Sequence, residues 1–431
     1  MKHQPLQSAT AIARRSRRVW VLSCAFVFAL ALLGRAGFGL WQLVQSPAPT
    51  ALQFPDEQWY WELAQSVHRG DGLVGEFGHR AGRMPLYPAL LSLATGSDHG
   101  VVYARVAQWF IGAIAALAAA LLAARVTDEL TGLLTGVLVA CDPGLIGVSD
   151  LLLTETLFTT LVVLWWFVGW PLAEEPGAPA HGPRLGRRPR CWRWVATAAL
   201  ASVSVYARPA AILLVVFWGA FVVARRRAAW RAIGGALLFA TAVAASLLPW
   251  AYRNRQVTGQ WCWLTTRTGI SLYDGVRPGA TGAGDLGDVK DHPSVRGLSE
   301  HEWNRYFLDE SFKAIRSDPG RILRLGWVKL GRTWSPFLHA DEYGSRAIRT
   351  IFAAWSVVWY ALIVVGLLSR RPGAGVCLGL LLPALMICCL HFFYVGSIRY
   401  RLGAVPALAV LAAIGAISLL EQWQRARRGG R

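Results

Sequence analysis

Apolar stretches alternate along the chain with short polar connections, and many are long enough to cross a hydrocarbon layer of about 30 Å, which takes about 20 helical residues. They run at about 19–44, 101–124, 131–149, 151–171, 193–207, 209–224, 229–249, 347–368, 374–395 and 402–420, and predict about ten transmembrane helices. Arg35 interrupts the first stretch. Apolar residues resume beyond it with no clear small-x-small cleavage site, so it reads as an uncleaved signal-anchor. Two closely spaced pairs, 131–149 with 151–171 and 193–207 with 209–224, read as tight helical hairpins, the second broken at Arg208-Pro209.

Two polar segments, 45–100 and 250–346, interrupt this pattern, and both predict short helices. In the first, Trp59, Tyr60, Leu63, Ala64 and Val67 recur at helical spacing beside Glu62 and Arg69, the mark of an amphipathic helix at the membrane interface. In the second, Ser299 with Glu302 predicts a capping box that opens a helix toward Ile315. Asp318-Pro319 predicts the start of another, running to about Trp334. Between them, Arg277 to Gly297 is rich in Gly and Asp and reads as a mobile loop. There is no internal repeat. The fold class is an all-α polytopic membrane protein forming a single integral membrane domain over 1–431.

Composition agrees. Of 431 residues 54% are hydrophobic and 16% charged, against about 25% charged in a typical soluble domain. Too little charge remains to coat a soluble surface, which excludes soluble, disordered, collagen-like and coiled-coil classes. The net charge of +19 would suit nucleic acid, but its distribution does not. Arginines cluster at 14–18, 184–193, 225–231, 370–371 and 425–431, in every second connection, the pattern of cytoplasmic loops. Nucleic acid is therefore not an expected partner. Both termini are expected on the cytoplasmic side of the cell (inner) membrane, with 45–100 and 250–346 outside. Seven cysteines, mostly in apolar stretches and without CxxC spacing, predict neither a disulfide framework nor a metal site.

Candidate chemistry collects at the outer ends of the spans. Asp56-Glu57 follows the first span; it reads either as helix capping or as a carboxylate base whose proton affinity partial burial can tune. Arg83-Met84-Pro85-Leu86-Tyr87-Pro88 holds an arginine against a rigid turn, suited either to a lipid phosphate or to snorkelling toward headgroups. Glu155, after Thr154, opens an apolar span at a cost of about 2.5–3.5 kcal/mol on insertion scales, which marks a functional or paired site. Arg208-Pro209, Pro249-Trp250-Ala251-Tyr252-Arg253-Asn254 and Arg399-Tyr400-Arg401 complete the set. The positive-inside rule gives Arg83, Arg208, Arg399 and Arg401 no reason to lie outside; convergence on an anion would. Tyr60, His79, Tyr87, Glu155, Arg253 and Tyr273 are expected to line the substrate cavity. No GxxxxGK[ST] or HExxH occurs, so neither a nucleotide-driven pump nor a zincin-type protease is indicated.

Taken in order from Asp56 to Pro406, these motifs resemble the GT-C superfamily, and more narrowly its bacterial protein-mannosyltransferase-like and aminoarabinose-transferase-like branch. The resemblance implies transfer of a sugar from a polyprenyl-phosphate carrier to an outer-side acceptor, whether protein, lipid or glycan. It implies that Asp56 is the general base, with Glu57 beside it, and that Arg83, Arg399 and Arg401 approach the carrier phosphate. The lipid-linked sugar is a substrate, and no cofactor is implied. This chain has Met84-Pro85 where many relatives have two consecutive prolines, and its closing outer segment is too short for a large appended acceptor domain. With one carboxylate base, the displacement is expected to invert the anomeric centre, by analogy with glycosidases. A polyprenyl-linked glycan polymerase or ligase shares the arginines and the outer site. A lipid or solute transporter would instead place its polar groups at mid-membrane.

Overall fold

The computed structural model describes residues 4–45, 51–174, 190–227, 229–285, 293–339, 345–369 and 372–429, and among them every regular element is helical. Among the described residues, seven helices are long and apolar enough to cross a membrane: Arg17–Gln45, Gly100–Val126, Glu155–Ala173, Trp230–Thr258, Arg346–Leu368, Ala374–His391 and Ile398–Arg428. The chain is a multi-pass, all-α membrane protein, with seven such helices where the sequence predicts about ten spans.

The difference has local causes. The stretch 131–149 is not one helix: Glu129–Ala140 ends at Cys141, and Pro143–Val148 follows as a separate short helix. Asp142 forces the break, because its carboxylate accepts from Leu145 N at 2.9 Å and from Trp355 Nε1 at 3.0 Å, with Pro143 in the first turn behind it. Twelve residues rise about 18 Å, too short for the hydrocarbon layer. Ala211–Arg225 is likewise short and apolar, and Arg190–Ala207 lies outside the seven. The Arg208-Pro209 break between these two falls where the sequence predicts it.

The C-terminal span is the hub. Residues from Val405 to Ile414 are all buried, as an all-round apolar helix must be. It crosses Arg346–Leu368 where glycines face each other: a Cβ on Gly366 would sit 2.0 Å from Leu411 O, and one on Gly415 would sit 2.1 Å from Leu362 O. Beside it, Trp165, Trp166 and Trp218 are wholly buried, and Trp166 Nε1 donates to Gly379 O at 2.9 Å.

Arginines gather at one end of the bundle. Arg226 donates to Glu174 O at 2.6 Å, and the Arg225 guanidinium lies against Gly375. The clusters at 184–188 and 370–371 lie outside the described residues.

The two polar segments meet at the other end. Pro55–His68 is the expected amphipathic helix, but Phe54 is its N-cap, so Asp56 sits inside the first turn and does not cap it. Glu300–Ser317 opens with the predicted capping box, Glu302 Oε2 accepting from Ser299 N at 2.8 Å, and Asp318 caps Pro319–Thr333 through Arg321 N at 2.8 Å. The Glu300 carboxylate accepts from Arg80 N and Ala81 N, each at 2.8 Å, and so joins the second segment to the first. Part of the loop expected to be mobile is pinned: Asp274 accepts from Asp285 N at 3.0 Å, and Gly396 N donates to Gly282 O at 2.9 Å. Residues 286–292 of that loop lie outside the described residues.

Candidate active site

Five charged side chains, each from a different stretch of chain, meet at the end of the bundle opposite the arginine clusters. Asp56 Oδ1 accepts from Arg83 Nη2 at 3.2 Å, and its Oδ2 accepts from Arg399 Nη2. Arg399 Nε lies 3.7 Å from Glu155 Oε1, and Arg208 Nη1 lies 3.3 Å from the same oxygen. The network therefore alternates in sign: Arg83, Asp56, Arg399, Glu155, Arg208. Asp56 and the three arginines are 21–26% exposed at their side chains, against 4% for Glu155.

Local structure aims each group. Glu57 is fully buried, and its carboxylate accepts from Gln53 N at 2.9 Å, Phe54 N at 3.1 Å and Leu152 N at 2.8 Å. Adjacent helical residues point about 100° apart, so anchoring Glu57 turns Asp56 outward to the arginines. The bond to Leu152 also holds the turn that places Glu155 at the start of its span. Arg83 follows the backbone that Glu300 grips and precedes Pro85. Its guanidinium lies 5.1 Å from the Tyr60 ring centroid and 5.6 Å from that of Trp59. Tyr400 lies beside two like charges, with Arg208 at 5.4 Å and Arg399 at 5.2 Å from its ring centroid.

Several expected site residues do other work. Glu57 does not face the cavity, its oxygens being taken by backbone amides. Arg401 points away from Asp56: it is 4% exposed and donates to Ser335 O at 2.5 Å, Tyr360 Oη at 2.7 Å and Ser356 Oγ at 3.1 Å. It lies two residues after Arg399 in the 3₁₀ turn Ile398–Ala404. At about three residues per turn, such neighbours take different faces, so Arg401 anchors the turn that presents Arg399. Arg253 donates to Arg80 O at 2.5 Å, and Tyr273 packs 5.1 Å from the Phe307 ring. Tyr87 donates to Gln108 Oε1 at 3.2 Å and meets Tyr60 edge-on. His79 packs edge-on against Trp303 at 4.8 Å and lines a depression with Trp59, Leu63, Leu73, Arg83 and Arg267.

Sequence reasoning missed Arg267, whose guanidinium covers the Trp59 ring at 4.8 Å. No pattern announces it, because its place depends on how the two polar segments dock. His391 was missed for a similar reason; its ring stacks on Tyr400 at 4.2 Å. Burial pushes the Asp56 carboxyl up, but Arg399 and Arg83, with Arg267 behind them, outweigh burial and hold it well below the ordinary value of 3.8.

Two carboxylates thus face three guanidinium groups with a fourth, Arg267, behind them, and the Glu155 helix directs its N-terminus to the same place. The surplus of positive charge suits an anion such as a phosphate. Among the described residues, no group of three or more His, Cys, Asp or Glu side chains is arranged to hold a metal ion.

No family model and no curated protein matches the chain. Solved structures do. The oligosaccharyltransferase AglB from Archaeoglobus fulgidus, in complex with an inhibitory peptide and a dolichol-phosphate, is similar over 96% of this chain and 52% of that one, with 14% identity and a TM-score of 0.58. The oligosaccharyltransferase from Archaeoglobus fulgidus tethered to an acceptor peptide is similar over 95% and 50%, with 14% identity and a TM-score of 0.57. This chain spans about half the length of these neighbours. The likeness, at 14% identity, is one of fold, and it extends along nearly the whole of this chain.

Proposed function

We propose that the protein is a membrane glycosyltransferase that moves a sugar from a polyprenyl-phosphate carrier to a hydroxyl on an outer-side acceptor, with inversion. The observation that carries this reading is the Arg83–Asp56–Arg399–Glu155–Arg208 network: one partly exposed carboxylate among arginines at one end of a GT-C fold. In the reaction, the acceptor oxygen attacks the anomeric carbon, and the bond from that carbon to the phosphate oxygen breaks. Its electron pair leaves on the carrier phosphate, whose growing charge Arg83, Arg399 and Arg208 stabilise. The acceptor proton passes to Asp56, and from there to water. A neighbour of the same fold carries a dolichol-phosphate, which supports a lipid-phosphate donor. A transporter would need its polar groups at mid-membrane; here they lie at one end.

The basic end of the bundle supports an orientation in which the network faces outward from the cell membrane and both termini face the cytoplasm. The protein in lipid vesicles, given a polyprenyl-phosphate sugar and cell-envelope acceptors, should release free polyprenyl phosphate as the acceptor gains one sugar, read by mass spectrometry. Addition of a long preformed glycan would favour a ligase or polymerase. Solute flux with no glycan change would overturn the transferase reading.

A further inference from the structure

The network sets a problem for the chemistry just proposed. Both Asp56 oxygens are taken by guanidinium groups, and a carboxylate so held is a poor proton acceptor. The same two arginines are those proposed to bind the carrier phosphate. We infer that donor binding itself frees the base: the phosphate draws Arg83 and Arg399 off Asp56, and Glu155 is the positioning residue that keeps Arg399 and Arg208 in place as this happens. The inference rests on the transferase reading and concerns how its base is switched on.

The geometry favours an exchange over simple addition. The donor phosphate is a diester with one negative charge and two free oxygens, the equal of a carboxylate as a guanidinium partner, and several guanidinium groups can meet it at once, so it competes for the arginines that Asp56 shares. Arg399 does not depend on Asp56 alone, because its Nε lies 3.7 Å from Glu155 Oε1. Arg208 shares that oxygen at 3.3 Å. Glu155 is buried and opens an apolar span, where an acid is costly without such a task. Arg83 has its own support in the Tyr60 and Trp59 rings, which hold a guanidinium without competing for its donors. The groups that set the Asp56 charge are therefore Arg83, Arg399 and Arg267 directly, with Glu155, Arg208 and the Tyr60 and Tyr400 hydroxyls beyond them. An incoming phosphate weakens the pull of the arginines and adds negative charge, and both effects raise the proton affinity of Asp56.

Infrared difference spectra of the full-length protein in nanodiscs give the test, with Asp56→Asn identifying the band of the protonated Asp56 carboxyl. In the ligand-free protein, that band should appear only near the acid limit of the folded state. Saturating donor analogue, a polyprenyl-phosphate sugar with a methylene in place of the anomeric oxygen, should move its midpoint up by about 1–3 pH units, the range for gaining or losing an adjacent opposite charge. Arg83→Gln should raise the ligand-free midpoint without any ligand. Glu155→Gln, in protein that remains folded, should shrink the ligand-induced rise, and Glu155→Asp should restore most of it. If the donor analogue binds and the midpoint stays put, the exchange is overturned while the transferase reading survives. If the Glu155→Gln rise equals that of the native protein, Glu155 has no positioning role. If the donor analogue does not bind at all, the transferase reading falls, and the inference with it.

Discussion

Asp56 and Glu57 are neighbours in sequence and opposites in environment. Glu57 is sealed among backbone amides, whereas Asp56 keeps part of its carboxylate open to solvent and pairs with two arginines. Replacing Asp56 with Asn retains its size and removes its charge. Turnover should fall about 10²–10⁴-fold while donor binding is kept or tightened, since Asn no longer competes for the arginines, as measured by steady-state kinetics on the purified protein. The same carboxyl links stability to pH. Because its folded value lies below the ordinary 3.8, the ionised form stabilises the native state above that pH, and the contribution is lost as pH falls through the folded value. Arg399 and Arg401 make a second contrast. Arg399→Gln should weaken donor binding by about 1.5–3 kcal/mol, the worth of a charge-assisted hydrogen bond. Arg401→Gln leaves Ser335 O, Ser356 and Tyr360 without their buried donor, so it should lower Tm. In the protein that stays folded, KM for donor should move much less than in Arg399→Gln.

At the level of elements, the site depends on helices that come very close. Gly366 and Gly415 let Arg346–Leu368 cross the C-terminal span with almost no gap, since any Cβ would strike a backbone carbonyl near 2 Å. Carbonyls cannot rotate aside as a flexible side chain can. Gly366→Ala should therefore push the two helices apart and cost at least the roughly 1–3 kcal/mol typical of overpacking. Thermal unfolding in detergent would show it, and an unchanged Tm would refute the close contact. Arg346–Leu368 also carries Ser356 and Tyr360, which hold Arg401 and hence the turn bearing Arg399, so donor affinity should fall in parallel. The break at Asp142 illustrates how a single residue ends a span, through a capped turn that also ties to Trp355.

At the scale of the whole molecule, charge is sorted to opposite ends: the Arg225–Arg227 end carries structural arginines, and the other end carries the ion network. Cysteines introduced at Asp71 and Gln260, both exposed beside the polar segments, should react with an impermeant thiol reagent added outside intact cells. One introduced at Arg227 should react only after the membrane is opened. The seven native cysteines would first be removed. Labelling in the reverse sense would invert the orientation and remove the outer active site.

The sequence by itself determined the membrane class, the positions of most spans, the capped helices at Ser299 and Asp318, and the placing of charge at span ends on Asp56, Arg83, Glu155, Arg208 and Arg399. These were legible because hydrophobicity over some 20 residues, capping pairs and charges at span ends are local signals. Tertiary structure decided the rest. Of the ten apolar stretches, seven became full-length spans among the described residues: 131–149 is cut where Asp142 caps a turn and reaches Trp355, distant in sequence, and 193–207 and 209–224 fall outside the seven on either side of Arg208-Pro209. Of two arginines two residues apart, it assigned Arg399 to the network and Arg401 to the scaffold, since a 3₁₀ turn sends them to different faces. Arg267 joined the site only through docking of the two polar segments by Glu300. Motif order carries the type of each charged residue, but partners tens or hundreds of residues away decide which charge meets which, and only folding brings them together.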